Sequence, residues 1–102
     1  MQVLCVYEAA PTIEDDEAEV AATAGSRALL RCDADGLPKP EVTWLKDGTK
    51  IETSSSLYTM HRTGSLQMTA VTVDDSGQYE CIATNDAGTA RRQITLTVQG
   101  IS

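Results

Sequence analysis

The chain has 102 residues, a length that suits one domain, and 41% of them are hydrophobic, which is enough for a buried core. The formal net charge of −7 argues against nucleic acid or anionic lipid as a partner, because both would repel the chain. No stretch approaches the roughly 18 apolar residues that a membrane-spanning helix requires.

Residues 1–9 do not follow the pattern of the rest of the chain. Residues 1–7 begin without a basic residue, and their apolar run is too short for a secretory signal. We therefore interpret residues 1–9 as an N-terminal extension, a linker or an expression leftover. The domain is predicted at residues 10–99, followed by a C-terminal linker at residues 100–102. The chain is interpreted as a piece of a larger multidomain protein.

An acidic run follows residues 10–13, which begin the domain and are predicted as an edge strand. It contains five acids and no base: Glu14, Asp15, Asp16, Glu17 and Glu19. Such runs are usually solvated surface, and less often a contact for a basic partner or a cation. A Ca²⁺ site requires oxygen ligands that converge in space, which side chains alternating along a strand do not favour. Solvated surface is therefore the preferred interpretation.

Apolar and polar residues alternate from Ala28 to Ala34. This pattern predicts a half-buried strand with Leu30 and Cys32 on its inner face. The segment at 36–40 contains two prolines, which lack an amide donor. We therefore expect the strand to end before residue 36.

The rest of the chain continues as short strands with turns between them. Strands are predicted at residues 41–46, 50–51, 57–60, 65–68 and 94–99. Val71 and Val73 are expected to carry an apolar face up to an acidic turn, and residues 85–88 to form a hairpin loop. No helical period of useful length occurs. Seven or eight strands of this kind predict an all-β, two-sheet antiparallel sandwich.

Four motifs, in chain order, resemble those of immunoglobulin domains of the intermediate (I-set) type. Residues 36–40 resemble their Gly-x-Pro-x-Pro turn, 44–48 their Trp-x-Lys-x-Gly stretch, 75–81 their Asp-x-Gly-x-Tyr-x-Cys and 83–88 their Ala-x-Asn-x-x-Gly. The resemblance as a whole covers roughly residues 11 to 99. The resemblance implies an immunoglobulin-like sandwich with one inter-sheet disulfide.

The resemblance also assigns structural roles to single residues. Cys32 and Cys81 are implied to form the disulfide, with Trp44 packed against it. Tyr79 is implied to form a tyrosine corner, its hydroxyl bonded back to nearby backbone. The remaining positions of the core signature are Asp75, which caps its turn, Gly77 and Leu66.

One position departs from the family pattern. Many such domains place an arginine early in the fourth strand, where it pairs with the aspartate of the turn. Here Leu57 stands at that place, and Arg62 is the nearest base. This departure puts the ion pair in doubt, but it does not put the fold in doubt.

The cysteines indicate in which cellular compartment the protein occurs. Pairing Cys32 with Cys81 leaves Cys5 as a free thiol. A bond across 49 positions (81 − 32) stabilises by roughly 4 kcal/mol in the chain-entropy model. It favours an extracellular setting, in a secreted protein or the ectodomain of a membrane protein. The alternative is a cytoplasmic sarcomeric or cytoskeletal protein that keeps the cysteines reduced.

The sequence contains no motif for catalysis or a cofactor. His61 is the only histidine and is interpreted as a surface side chain. A zinc site built from it and the three cysteines is disfavoured, because their spacing does not resemble that of clustered zinc ligands. Cys5 has no evident activating base beside it. We therefore predict no enzyme, no metal site and no cofactor.

Function is inferred from the resemblance, because a fold by itself does not specify function. It implies a non-catalytic protein-interaction or spacer module of an extracellular adhesion or matrix protein with tandem domains, such as the hemicentin-like proteins. The alternatives are a titin-like scaffold domain inside the cell and a ligand-binding segment of a receptor ectodomain.

Protein partners are expected, including neighbouring immunoglobulin domains, with no nucleic acid and no membrane insertion by this segment. The candidate interaction surface combines the acidic residues 14–19 with Arg91 and Arg92. If the first and last strands pair, as the family suggests, the two groups face each other, and neighbouring copies would join acidic to basic edges. Oligomeric state is left open.

Overall fold

The computed structural model of the chain describes residues 8–14, 18–52 and 57–100. Within these ranges the strands are β1 Ala9–Ile13, β2 Glu19–Thr23, β3 Ala28–Leu30, β4 Ala34–Leu37, β5 Glu41–Lys46, β6 Thr49–Lys50, β7 Tyr58–Met60, β8 Leu66–Met68, β9 Gly77–Asn85 and β10 Gly88–Gln99. A short 3₁₀ turn at Val73–Asp75 precedes β9. The candidate residues Cys5, Asp15, Asp16 and Glu17 lie outside the described ranges.

The strands form two layers. One is a five-stranded sheet in the order β2-β10-β9-β5-β6, and the other comprises a three-stranded sheet β3-β8-β7 and a two-stranded sheet β1-β4. Because β3 and β4 follow one another along the chain, the two smaller sheets continue each other in the second layer. The predicted all-β, two-sheet sandwich is confirmed.

The two N-terminal strands belong to different layers. β1 pairs antiparallel with β4, whereas β2 pairs with β10 from Thr95↔Glu19 to Gln99↔Thr23. The β2–β10 ladder is parallel, unlike the other ladders of the described chain. Because β1 and β2 pair with strands of different sheets, this one end of the chain links both layers.

The core lies where the inner faces of the two layers meet. Its largest fully buried side chains are Trp44, Tyr79, Leu30, Leu66, Met68, Ile94, Leu96 and Val71, together with Cys32 and Cys81. Burial of a large apolar side chain stabilises by about 1.5–3 kcal/mol. Cys32 and Cys81 form the expected disulfide, with their Cα atoms 6.5 Å apart.

The predicted end of the strand at residues 28–34 was wrong. The structure interrupts it after Leu30 and resumes it at Ala34–Leu37, so that Gly36 and Leu37 belong to a strand. The reason is that β4 takes its hydrogen bonds from β1, with Leu37 opposite Ala9. Pro38, and not the residues before it, ends the pairing because it has no amide hydrogen.

The expectation for Val73 was also wrong. Val71 is buried, but Val73 is 53% exposed because it begins the 3₁₀ turn. The two-residue periodicity of a strand does not apply in such a turn, so residues two apart no longer share a face.

Candidate interaction sites

The turn before β9 is closed by Asp75. One carboxylate oxygen, Oδ2, accepts from the backbone N–H of Thr72 at 2.7 Å and lies 3.3 Å from the Thr72 hydroxyl. The Tyr79 hydroxyl donates to the carbonyl oxygen of Asp75 at 2.6 Å. Burial raises the pKa of Tyr79, and the neighbouring Tyr58 and the negative charge of Asp75 raise it further. Leu57, which takes the place of the family's arginine, is exposed.

Gly77 lies against the turn between β5 and β6. A Cβ atom at Gly77 would lie 2.9 Å from Oδ2 of Asp47. The other oxygen of this carboxylate, Oδ1, accepts from the backbone N–H of Gln78 at 3.0 Å. The Asp47 side chain therefore reaches the start of β9 only because residue 77 has no side chain. Leu66, the last residue of the predicted core signature, is fully buried in β8.

Asn85 makes contacts that the sequence analysis missed. Its side-chain Nδ2 donates to the carbonyl oxygens of Ala9 at 2.8 Å and Pro38 at 2.9 Å. Its Oδ1 accepts from the backbone N–H groups of Ala87 at 2.8 Å and Gly88 at 3.2 Å. One amide thus joins the β9–β10 hairpin to β1 and to the turn after β4. The Ala-x-Asn-x-x-Gly motif was the only sequence signal for it.

The two ends of the described domain lie at opposite ends of β10. A Cβ atom at Gly88, where β10 begins, would lie 3.3 Å from the Cβ of Ala10 in β1. At the other end of β10, the carbonyl oxygen of Gln99 accepts from the N–H of Ala24 at 2.8 Å. β10 has 12 residues, so at about 3.3 Å per residue it separates the two ends by roughly 36 Å.

The predicted basic pair on β10 is split by the strand. Arg91 and Arg92 are adjacent, so their side chains leave opposite faces of the sheet. Arg91 is exposed, with Nη1 3.4 Å from Oε1 of Glu80. Arg92 stands opposite Cys81 in the ladder and is half-buried. The two side chains therefore do not share one face of the sheet, and their role in an interaction surface stays a prediction.

The described acids of the 14–19 segment do not stay together either. The N–H of Glu14 donates to the carbonyl oxygen of Asp33 at 3.0 Å, which holds it next to the start of β4. Glu19 begins β2 and stands opposite Thr95 in the ladder. The two carboxylates thus belong to different layers of the sandwich.

The described ranges offer no group of three or more His, Cys, Asp or Glu side chains able to hold a metal ion. His61 is exposed, and its Nε2 lies 2.9 Å from Oε1 of Gln67. Within the same ranges, no helix is long and apolar enough to cross a membrane.

Comparison with known proteins places the chain in a family. The model of the immunoglobulin I-set domain matches residues 11–98. Hemicentin-1 of Mus musculus is 40% identical over 85 residues, which cover 83% of this chain and 2% of that protein. Neural cell adhesion molecule 1-A of Xenopus laevis is 42% identical over 92 residues, which cover 86% of this chain and 8% of that protein. The chain therefore corresponds to a small fraction of each of these relatives.

Solved structures agree with this placement. The crystal structure of the titin M10–obscurin-like 1 immunoglobulin complex in space group P1 contains a chain that matches with a TM-score of 0.84 and 30% identity, covering 92% of this chain and 98% of that one. The tandem immunoglobulin repeats of Dlar match with a TM-score of 0.80 and 32% identity, covering 89% and 49%. The chain belongs to the immunoglobulin I-set domain family.

Proposed function

We propose that the chain is a non-catalytic linking and protein-binding domain of an extracellular adhesion or matrix protein. The observation that carries the proposal is the position of Ala10 and Gln99 at opposite ends of β10. A domain connected at opposite ends extends an array by its own length. Neighbouring domains on either side then leave the faces of both sheets open to partners.

The extracellular setting is supported by the disulfide between Cys32 and Cys81. Such bonds persist in oxidising compartments and are rare in the cytosol. The relatives named above include a hemicentin and a neural cell adhesion molecule, and this supports a role in adhesion or in the matrix.

A second candidate is an intracellular scaffold domain. It is favoured by the TM-score of 0.84 to a chain of the titin M10–obscurin-like 1 complex. The two candidates differ in the state of the cysteines. Alkylation in denaturant of protein taken from acid-quenched expressing cells, followed by intact-mass analysis, tests them, because unfolding exposes the two buried cysteines. One labelled thiol supports the extracellular proposal, and three labelled thiols support the scaffold.

The linking role is tested by joining copies of the chain in series. Small-angle X-ray scattering of one, two and three copies should show a maximum dimension that grows by about 35–40 Å per copy, the length of β10. A particle that becomes thicker rather than longer would contradict the linking role. Thermal unfolding of each array serves as the control that every copy is folded.

A further inference from the structure

One outer face of the sandwich carries an ordered charge pattern. Along β3, β4 and the residues around them, even-numbered side chains from Ala28 to Cys32 are buried, so the odd-numbered ones point outward. We call the outward set the β3–β4 face; its members are Arg27, Leu29, Arg31, Asp33, Asp35 and Leu37. Beyond the break, Asp35 and Leu37 are exposed, whereas Ala34 and Gly36 are half-buried. Asp33 is itself half-buried, and its contact with Arg31 places its carboxylate on the same side.

The β3–β4 face has a basic half and an acidic half. Arg27 and Arg31 lie at the β3 end, and Asp33 and Asp35 lie at the β4 end. Each half also contains an exposed leucine: Leu29 is 42% exposed and Leu37 is 46% exposed. Large exposed apolar side chains are a common feature of contact surfaces when charges surround them.

The neighbouring strands do not cancel this pattern. Leu29 is in register with Gln67 of β8, which is in register with Thr59 of β7. Both neighbours are uncharged, and β7 and β8 contain no acidic residue. At the other half, Asp35 stands opposite Thr12 of β1, which is also uncharged.

Such a pattern is complementary to itself. A two-fold axis that lies between two facing copies and runs perpendicular to the strands reverses the direction of the second copy. When the axis passes near Asp33, Leu29 of each copy meets Leu37 of the other, and Arg31 meets Asp35. In a symmetric dimer each such contact occurs twice.

We propose that the β3–β4 face binds a second copy of this chain, antiparallel and face to face, through the Leu29–Leu37 and Arg31–Asp35 contacts. The inference rests on the proposed function as a protein-binding domain and names its partner. A polyanion fits the face less well, because two of its four charges are carboxylates and the whole chain carries −7.

The ion pair within the face is compatible with this contact. Nη2 of Arg31 lies 3.7 Å from Oδ2 of Asp33, and 57% of the arginine side chain remains exposed. An exposed pair of this kind is weak, about 0–1 kcal/mol. It also reduces the repulsion between the two Asp33 side chains, which meet near the axis.

The contact area is that of one sheet face, so the dimer is expected to be weak for a single domain. Several copies in series would strengthen it by multivalency. Sedimentation equilibrium of the Cys5→Ser variant, which removes the thiol left outside the disulfide, should show association between about 20 µM and 1 mM at low salt, a range that weak interfaces require. Raised salt should weaken it.

Two charge reversals test the geometry. Arg31→Asp and Asp35→Arg, each in the Cys5→Ser background, place like charges opposite one another twice per dimer. Each should weaken self-association by at least about tenfold. An equimolar mixture of the two variants should restore the dimer, because both contacts between positions 31 and 35 then join opposite charges. Lys50→Asp, with the same change of charge on an exposed position of the other layer, is the matched control and should still dimerise.

The proposal is overturned if the Cys5→Ser protein stays monomeric at 1 mM, if both reversals leave its association unchanged, or if their mixture remains monomeric. Circular dichroism establishes that each variant is folded before its self-association is measured. None of these outcomes affects the scattering test of the linking role, so the two proposals fail separately.

Discussion

The indole N–H of Trp44 donates to the carbonyl oxygen of Gly64 at 2.7 Å in the fully buried centre of the sandwich. Gly64 lies outside the strands, between β7 and β8, and has a φ of +109°. A Cβ atom there would lie 2.8 Å from the carbonyl oxygen of Cys32 and 2.8 Å from Cγ2 of Val42. Gly64 thus accepts the hydrogen bond of the Trp44 indole and packs against both layers.

Gly64→Ala should therefore lower the free energy of unfolding by about 3 kcal/mol or more, since it combines backbone strain with two clashes in the core. Urea denaturation, monitored by tryptophan fluorescence, measures this loss of stability. Gly25→Ala is the matched control: Gly25 also has positive φ, +90°, but no atom lies within 4 Å of its Cβ position. Its cost should be about 1 kcal/mol. Equal losses for both variants would contradict the packing argument.

Ser65 satisfies a backbone group next to the disulfide. Its Oγ accepts from the N–H of Cys32 at 2.8 Å, and the residue is only 5% exposed. Ser65→Ala leaves that buried N–H without an acceptor, so we expect a loss of about 1–3 kcal/mol. Ser26→Ala, which removes an exposed hydroxyl bonded to Thr23, should cost less than about 1 kcal/mol. Thermal or urea unfolding of the two variants gives the comparison.

Asn85→Asp tests the amide that joins the hairpin to β1. The substitution keeps the acceptor for Ala87 and Gly88 but removes both donors and places a carboxylate beside the carbonyl oxygens of Ala9 and Pro38. We expect a loss of about 2–3 kcal/mol from two broken hydrogen bonds.

Hydrogen exchange locates the effect of Asn85→Asp. The amides of β1 should exchange faster in the variant, because β1 loses its link to the hairpin. Asp86→Asn, a change of one charge at the adjacent exposed position, should leave both stability and exchange nearly unchanged. Protection of β1 that survives in Asn85→Asp would show that the amide does not hold this strand.

Stability should decrease at alkaline pH because of Tyr79. The pKa of its hydroxyl is raised in the folded protein by burial, above the 10.0 of an exposed tyrosine. A group with a raised folded pKa contributes its stability fully below pH 10, and that contribution is lost as the pH rises beyond it. Urea midpoints measured from pH 8 to 11.5 should therefore fall above about pH 10.

Tyr79→Phe separates this titration from other alkaline effects. The variant should be less stable at pH 8 by about 1 kcal/mol, since the bond to the Asp75 carbonyl is lost. Its midpoint should then vary less above pH 10 than that of the wild type. An alkaline decrease of the same size in both proteins would assign it to other groups. Tyr58→Phe is a useful comparison, because burial raises the pKa of Tyr58 as well.

Reduction of the Cys32–Cys81 bond, which closes 49 positions, should lower the free energy of unfolding by about 4 kcal/mol. Urea denaturation with and without reductant measures the change. The Cys5→Ser variant should show the same loss, since Cys5 is not part of the bond. A reduced protein of unchanged stability would contradict a stabilising role for the bridge and would favour the intracellular candidate.

The sequence alone was sufficient for the family and the general architecture. Strand alternation is a local property, because side chains two residues apart share a face whatever the rest of the chain does. Alternation therefore placed Leu30 and Cys32 on an inner face, and the resemblance assigned Tyr79 and Cys81 to the core; all four are fully buried. The same rule, applied to adjacent residues, places the side chains of Arg91 and Arg92 on opposite faces of β10.

Tertiary structure decided the contacts between residues far apart in sequence. Gly64 and Trp44 are 20 positions apart, Ser65 and Cys32 are 33, and Asn85 and Ala9 are 76. No local periodicity reports which buried donor meets which acceptor, because that depends on how two sheets pack. The pairing of β1 with β4 and of β2 with β10 has the same origin. Alternation determines which side chains point inward, and only the packing of the two layers determines what they meet there.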